Sequence, residues 1–152
     1  MAELFTVEMS PPVHNGMTLD FRSSDQHFRQ NFATHIHPFL ERLVSALRVL
    51  RDGFVDEKIR LFIGAPECEI CLQAEANSQV ARLRLDIWPD FKRSTMKPPK
   101  TVFSIEGSRQ EIIEPFVTAL KKLRAEVGNA DFERGYGSAF PDAEYERLTS
   151  NR

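Results

Sequence analysis

Cys68-Glu69-Ile70-Cys71 has the spacing of a redox dithiol or of half a zinc site, and it is the first place where this chain could do chemistry. Cys68, Ile70, Leu72 and Ala74 recur at every second position, so the segment reads as a strand. Side chains three apart on a strand leave opposite faces, and the two thiols cannot hold one ion unless the pair lies in a turn. A thioredoxin-like site would also place its first thiol at a helix N-terminus, and no helical pattern follows. Cys68 is therefore expected in the core and Cys71 on a polar face. His35 and His37 could add nitrogen ligands, but on a helix they stand about 200° apart at ~3.6 residues per turn, so sharing an ion needs unwinding beside Pro38. No metal and no cofactor are expected.

Two more phrases copy fragments of catalytic motifs. Trp88-Pro89-Asp90 matches the acid loop of tyrosine phosphatases, whose thiolate loop carries an Arg six residues after its Cys. Here Ala74 and Asn77 stand at that offset from Cys68 and Cys71. Ser94-Thr95-Met96-Lys97 matches the nucleophile motif of serine β-lactamases without the two motifs that must accompany it. The sequence contains no phosphate-cradling glycine loop, His-Glu-x-x-His, Gly-x-Ser-x-Gly or calcium loop. The expectation is a protein that is not an enzyme.

Those residues must be positioned by a scaffold, and the composition bounds it. The chain has 152 residues, 41% hydrophobic and 28% charged, which is enough for one domain with its own core. No apolar run approaches the ~20 residues of a membrane span, and acid stands near the start where a secretory signal carries base; a cytoplasmic location is expected. A net charge of −2 argues against a dedicated nucleic-acid binder. Phe5, Val7 and Met9, then Met17, Leu19 and Phe21, alternate as two strands. From Ser24 the period changes, and Phe28, Phe32, Ile36, Phe39, Leu40, Leu43, Val44, Leu47 and Leu50 predict one long amphipathic helix, capped by Ser24, kinked at Pro38 and stopped at Gly53. Alternation returns at Ile59–Ile63, Cys68–Ala76, Ala81–Ile87 and Thr101–Ile105, and short turns join these as an antiparallel meander. Ser108 and Glu111 form a capping box opening a second helix, with Gly128-Asn129 at its end. The expected fold is α+β: a mostly antiparallel sheet of about five or six strands, with two main helices packed on one face and the other face open. It forms a single domain over 1–152, with 129–152 an irregular acidic aromatic segment in which Pro141 could open a short helix through Leu148.

Two surfaces stand out. Residues 90–100 carry four positive charges against one negative and form a loop that could grip a polyanion or a small ligand. Residues 126–148 carry six acids against two Arg, with Phe132, Tyr136, Phe140 and Tyr145 interleaved, a composition like that of interface anchors and rims. Both patterns also occur on ordinary solvated surfaces. Trp88 either joins Arg82, Arg84 and Asp86 on the open face or folds back into the core; in the first case it and Phe62 could anchor a partner or a second copy in a homodimer.

The phrase Val102-Phe103-Ser104-Ile105-Glu106-Gly107-Ser108-Arg109-Gln110-Glu111-Ile112-Ile113-Glu114-Pro115-Phe116 resembles the strand-to-helix turn of small immunity proteins from bacterial toxin–immunity systems. It runs on into the following helix, which stops at Gly128-Asn129. The resemblance implies stoichiometric binding that neutralises a cognate toxin or effector, without turnover. The partner-binding residues expected on that basis are Trp88, Asp131, Glu133, Tyr136, Asp142, Glu144 and Tyr145. The alternative is a regulatory domain that binds a small ligand or nucleic acid through the 90–100 loop.

Overall fold

The six alternating segments become six of the seven strands in the computed structural model, which describes residues 4–64, 66–89 and 97–150. The seven are β1 (Thr6–Met9), β2 (Gly16–Arg22), β3 (His27–Ala33), β4 (Val55–Phe62), β5 (Glu67–Ala74), β6 (Val80–Trp88) and β7 (Lys100–Ser108). One antiparallel sheet takes them in chain order, so each strand pairs with its neighbour in sequence. Helix α1 spans Phe39–Leu50, α2 Arg109–Glu126, α3 Asn129–Tyr136 and α4 Asp142–Thr149. The class is α+β as expected, with a larger sheet and more helices than the sequence suggested. No helix among the described residues is long and apolar enough to cross a membrane.

The apolar stripe from Phe28 to Leu50 is not one helix. Phe28 and Phe32 are four apart, a spacing that fits one helix face and also alternate positions of a strand. They are inward residues of β3, paired with Phe21 and Met17 of β2. Ser24 lies within the β2–β3 turn, which is closed by the Ser23 amide on the Gln26 carbonyl, and caps nothing. β3 ends at Ala33, a bent stretch follows, and Pro38, with no N–H to give, stands at the N-cap of α1. Ile36, counted in the stripe, is 45% exposed.

The sheet is nearly two sheets. β3 meets β4 through the single pair Ala33 and Phe62, whereas β4 and β5 pair along their whole length and β5–β7 along most of theirs. β1–β3 therefore swing across the apolar side of β4–β7, where the Phe5 and Phe21 rings lie 6.3 and 5.6 Å from Phe103. Phe116 of α2 closes the cluster at 5.9 and 5.7 Å from the same two rings. The Gln26 carboxamide donates to the Ser104 carbonyl and accepts from the Ser104 amide, both at 2.8 Å. It occupies part of the outer edge of β7, where another chain could otherwise pair. Helix α1 lies on β4 and β5, and α2 on β6, β7 and β1. Both cover the side that carries Ile59, Leu61, Ile70, Leu72, Leu83 and Leu85, and the opposite side of β4–β7 is left to polar residues.

The C-terminal segment is helical: the short helix that Pro141 opens is α4, and α3 precedes it where the sequence suggests an irregular stretch. Phe132, Tyr136 and Phe140 recur every fourth residue, and with Tyr145 and Leu148 they are buried side chains of α3, α4 and their connection. The Tyr136 hydroxyl accepts the Leu40 amide at 2.9 Å and donates to Glu41 Oε2 at 3.0 Å, holding the first turn of α1. Gly135 passes so close to the β1–β2 connection that a Cβ would stand 2.0 Å from the Pro12 carbonyl oxygen. No other residue fits there.

Candidate functional site

The strand register lays out the polar side of β4–β7 as cross-strand rows. Phe62, Glu67 and Trp88 form the first, Arg60, Glu69, Asp86 and Thr101 the second, Lys58, Cys71, Arg84 and Ser104 the third, and Asp56, Gln73, Arg82 and Glu106 the fourth. A bulge between Leu85 and Asp86 in the β6–β7 pairing moves Thr101 opposite Asp86, and the Thr101 hydroxyl donates to Asp86 Oδ1 at 2.7 Å.

The upper rows contain three buried carboxylates, Glu67, Glu69 and Asp86, with the Cys71 thiol beside them. Arg84 Nε donates to both Asp86 oxygens at 3.0 Å, and Arg84 Nη2 approaches Cys71 Sγ at 3.5 Å. Arg60 pairs with Glu67 Oε1, while His37 Nε2 lies 3.4 Å from Glu67 Oε2. The Trp88 indole N–H donates to Glu69 Oε1 at 3.0 Å. Trp88 thus lies on the polar face and not in the core, half-buried and oriented by a carboxylate. Buried charge is tolerated here because each acid has donors close by.

One ligand atom each from Glu69, Cys71 and Asp86 falls within 4.8 Å of the others, a spacing that could hold a cation. Most of this set is already engaged: Arg84 and Thr101 hold Asp86, and Trp88 holds Glu69 Oε1. Burial, followed by the charges of Glu69 and Asp86, pushes the Cys71 thiol up to about 12, so it is protonated at neutral pH. Cys68 is pushed up to about 12 by the same causes from inside the core. A metal would have to displace a guanidinium and a thiol proton, and a protonated Cys71 is a poor nucleophile.

The lower row opens into a groove of about 580 Å3 lined by Phe54, Val55, Asp56, Gln73, Ala74, Glu75, Ser78, Val80, Arg82 and Glu106. Beneath it lies Arg109, the first residue of α2 and 5% exposed. Its guanidinium meets no carboxylate among the described residues; it donates to the carbonyls of Leu50 (2.8 Å), Gly53 (2.6 Å), Glu75 (2.6 Å) and Ser78 (2.6 Å). Leu50 is the last residue of α1, so this cation satisfies an orphan carbonyl at the negative end of a helix.

The partner-binding residues expected from the sequence do not come together. Tyr136 and Tyr145 are 2% and 6% exposed, and an anchor must be accessible, so neither can serve as one. Asp131 pairs with Arg134, Asp142 with Arg124, and Glu144 with Arg48 and Arg147, while Glu133 is exposed on α3. The acidic aromatic stretch is a folded cap whose acids mostly neutralise nearby arginines. Of the basic loop, residues 90–96 lie outside the described residues. The network of Arg60, Glu67, Glu69 and Arg84, and the groove at Phe54 and Val80, were not foreseen; the alternation of polar residues at 67, 69, 71 and 73 against Cys68, Ile70 and Leu72 was the available signal.

No protein-family model, no curated protein and no solved structure matches this chain. The functional reading therefore rests on the polar face itself.

Proposed function

We propose that this protein is a non-catalytic binding module that neutralises a cognate toxin or effector stoichiometrically, as an immunity protein does, and that it docks through the polar face of β4–β7. The observation that carries this reading is the layout of that face. Strands β4, β6 and β7 present Lys58, Arg82 and Glu106 outward, while buried Glu67, Glu69 and Asp86 hold Arg60, Arg84 and Trp88 in fixed orientations. Charged groups fixed before encounter lose little freedom on binding and select partners by complementarity. The groups that could have been nucleophile or metal ligand are engaged in that scaffolding.

The test is co-expression with the product of the neighbouring gene, reading both host growth and complex formation. The expected result is rescue of a growth defect with a one-to-one complex. Lys58→Glu, exposed on the β4 side of the face, should weaken that complex, and Arg134→Glu on α3 should not. A harmless neighbour, an absent complex, or a complex weakened by Arg134→Glu but not by Lys58→Glu would each refute the reading.

A further inference from the structure

Of the five large hydrophobic side chains exposed among the described residues, Phe54 (58%) and Val80 (48%) line one groove, at the lower end of the polar face. The groove carries the carboxylates of Asp56, Glu75 and Glu106 against the single guanidinium of Arg82. Arg82 is already bound to Glu106 at 2.6 Å. Asp56 has only the Gln73 amide, at 3.4 Å, and neither Asp56 nor Glu75 has a cation within ion-pair distance among the described residues. Two apolar anchors are thus set inside a rim with a formal charge of −2, three carboxylates less one guanidinium. Its walls are also fixed, because Arg109 binds the carbonyls of Gly53, next to Phe54, and of Glu75 and Ser78. An apolar centre with a polar rim on a rigid support is the anatomy of a protein-binding hot spot.

We propose that this groove is the docking point for a basic segment of the partner protein, a loop or strand that carries lysine or arginine on both sides of a large apolar side chain. Its apolar side chain sits between Phe54 and Val80, and its cations meet Asp56 and Glu75. The proposal rests on reading the polar face as a partner surface, and it adds where on that face the contact is centred and what chemistry it selects.

The test titrates the isotopically labelled full chain with three synthetic peptides and follows its backbone amide resonances. The peptides are Lys-Leu-Arg-Phe-Lys, the charge-swapped Glu-Leu-Glu-Phe-Glu, and Lys-Gly-Arg-Gly-Lys, which keeps charge but lacks anchors. The first should shift amides around 54–56, 73–75 and 80–82, the second should not bind, and the third should bind at least roughly five-fold more weakly than the first. Phe54→Ala and Glu75→Lys change exposed side chains, and each should weaken the first peptide by a similar factor with the spectrum otherwise preserved; Val80→Thr provides a second route to the apolar half. Equal binding of the acidic peptide, shifts located elsewhere, or no effect of these variants overturns the proposal. Co-expression separates it from the broader reading. Rescue retained by the Phe54→Ala, Glu75→Lys double variant overturns the groove and leaves neutralisation standing, whereas peptide binding without any rescue by the natural chain supports the groove and overturns neutralisation.

Discussion

Replacing Arg109 with methionine keeps most of the side-chain volume and removes every hydrogen bond that the guanidinium makes. Four carbonyls lose a charged donor at once: Leu50, Gly53, Glu75 and Ser78. At ~1.5–3 kcal/mol for each bond from a charged donor, the gross loss is about 6–12 kcal/mol. Against this stands the desolvation of an arginine that no carboxylate among the described residues compensates, several kcal/mol that methionine does not incur. Water can also reach the carbonyls at the margin, since only the bond to Leu50 is fully buried. The net destabilisation should be about 3–4 kcal/mol, a large part of the ~5–15 kcal/mol that a domain has. Urea unfolding followed by the fluorescence of Trp88, the single tryptophan, measures it. With a slope near ~2 kcal/mol per molar, the midpoint should fall by about 2 M. Arg109→Lys should recover part of this, because an ammonium donates to fewer acceptors and lacks the planar fork. A midpoint shift below ~0.5 M for the methionine variant would refute the reasoning, by showing that water serves these carbonyls as well as the guanidinium does.

Tyr136→Phe keeps the ring and removes the hydroxyl that accepts the Leu40 amide and donates to Glu41, so it should cost about 1–2 kcal/mol in the same urea assay, and an unchanged midpoint would count against the helix-holding role. Burial alone would raise the Asp20 carboxyl, but hydrogen bonds from His27 and Arg22 and their charges outweigh it and hold the group below the usual carboxylate range. Its contribution is therefore complete above the unfolded value near ~4 and fades as pH falls through the folded value, so the stability gap between the natural chain and Asp20→Asn should be wide above the carboxylate range and narrow in stronger acid; an equal gap at both ends would contradict this. Cys68 and Cys71, both free, buried and pushed up to about 12, should resist a thiol reagent at pH 8 in the native protein and react as two equivalents in urea, and a fast native equivalent would show that Cys71 is accessible.

The strands of the meander and α2 were legible because their signals are local. Alternation at 81–87 and 101–105 has one period only, and the Ser108–Glu111 capping box forms as its spacing dictates. Phe28 and Phe32 misled because a four-residue spacing satisfies strand and helix alike, and what decides between them is β2, whose Met17 and Phe21 pair with them. The tail was misjudged for a related reason. Tyr136 beside acids has the composition of an interface, and only its hydrogen bond to Leu40, 96 residues away, shows that it is a core residue. Trp88 was placed between two options that the sequence could not separate; Glu69 on the adjacent strand decides for the polar face. The groove at Phe54 and Val80 was invisible because its two anchors are distant in sequence and its rigidity comes from backbone carbonyls, which no side-chain pattern encodes.

That bond between Tyr136 and Leu40 also imposes an order of events on the growing chain. Every ladder of the sheet joins consecutive strands, so β1 to β7 can zip together in the order in which the ribosome delivers them. Helix α1 cannot finish in the same way. Its N-cap, Pro38, makes no side-chain bond, and the acceptor for the Leu40 amide is translated 96 residues later. At ~5–20 residues per second, the first turn of α1 waits about 5–20 s for it. Once β4 and β5 have followed, Phe39, Leu43 and Leu47 have the sheet on one side but not yet the C-terminal helices. A nascent chain halted before residue 136 would thus carry an uncapped helix end, a recognisable mark of incompleteness for the cell's chaperones and proteases.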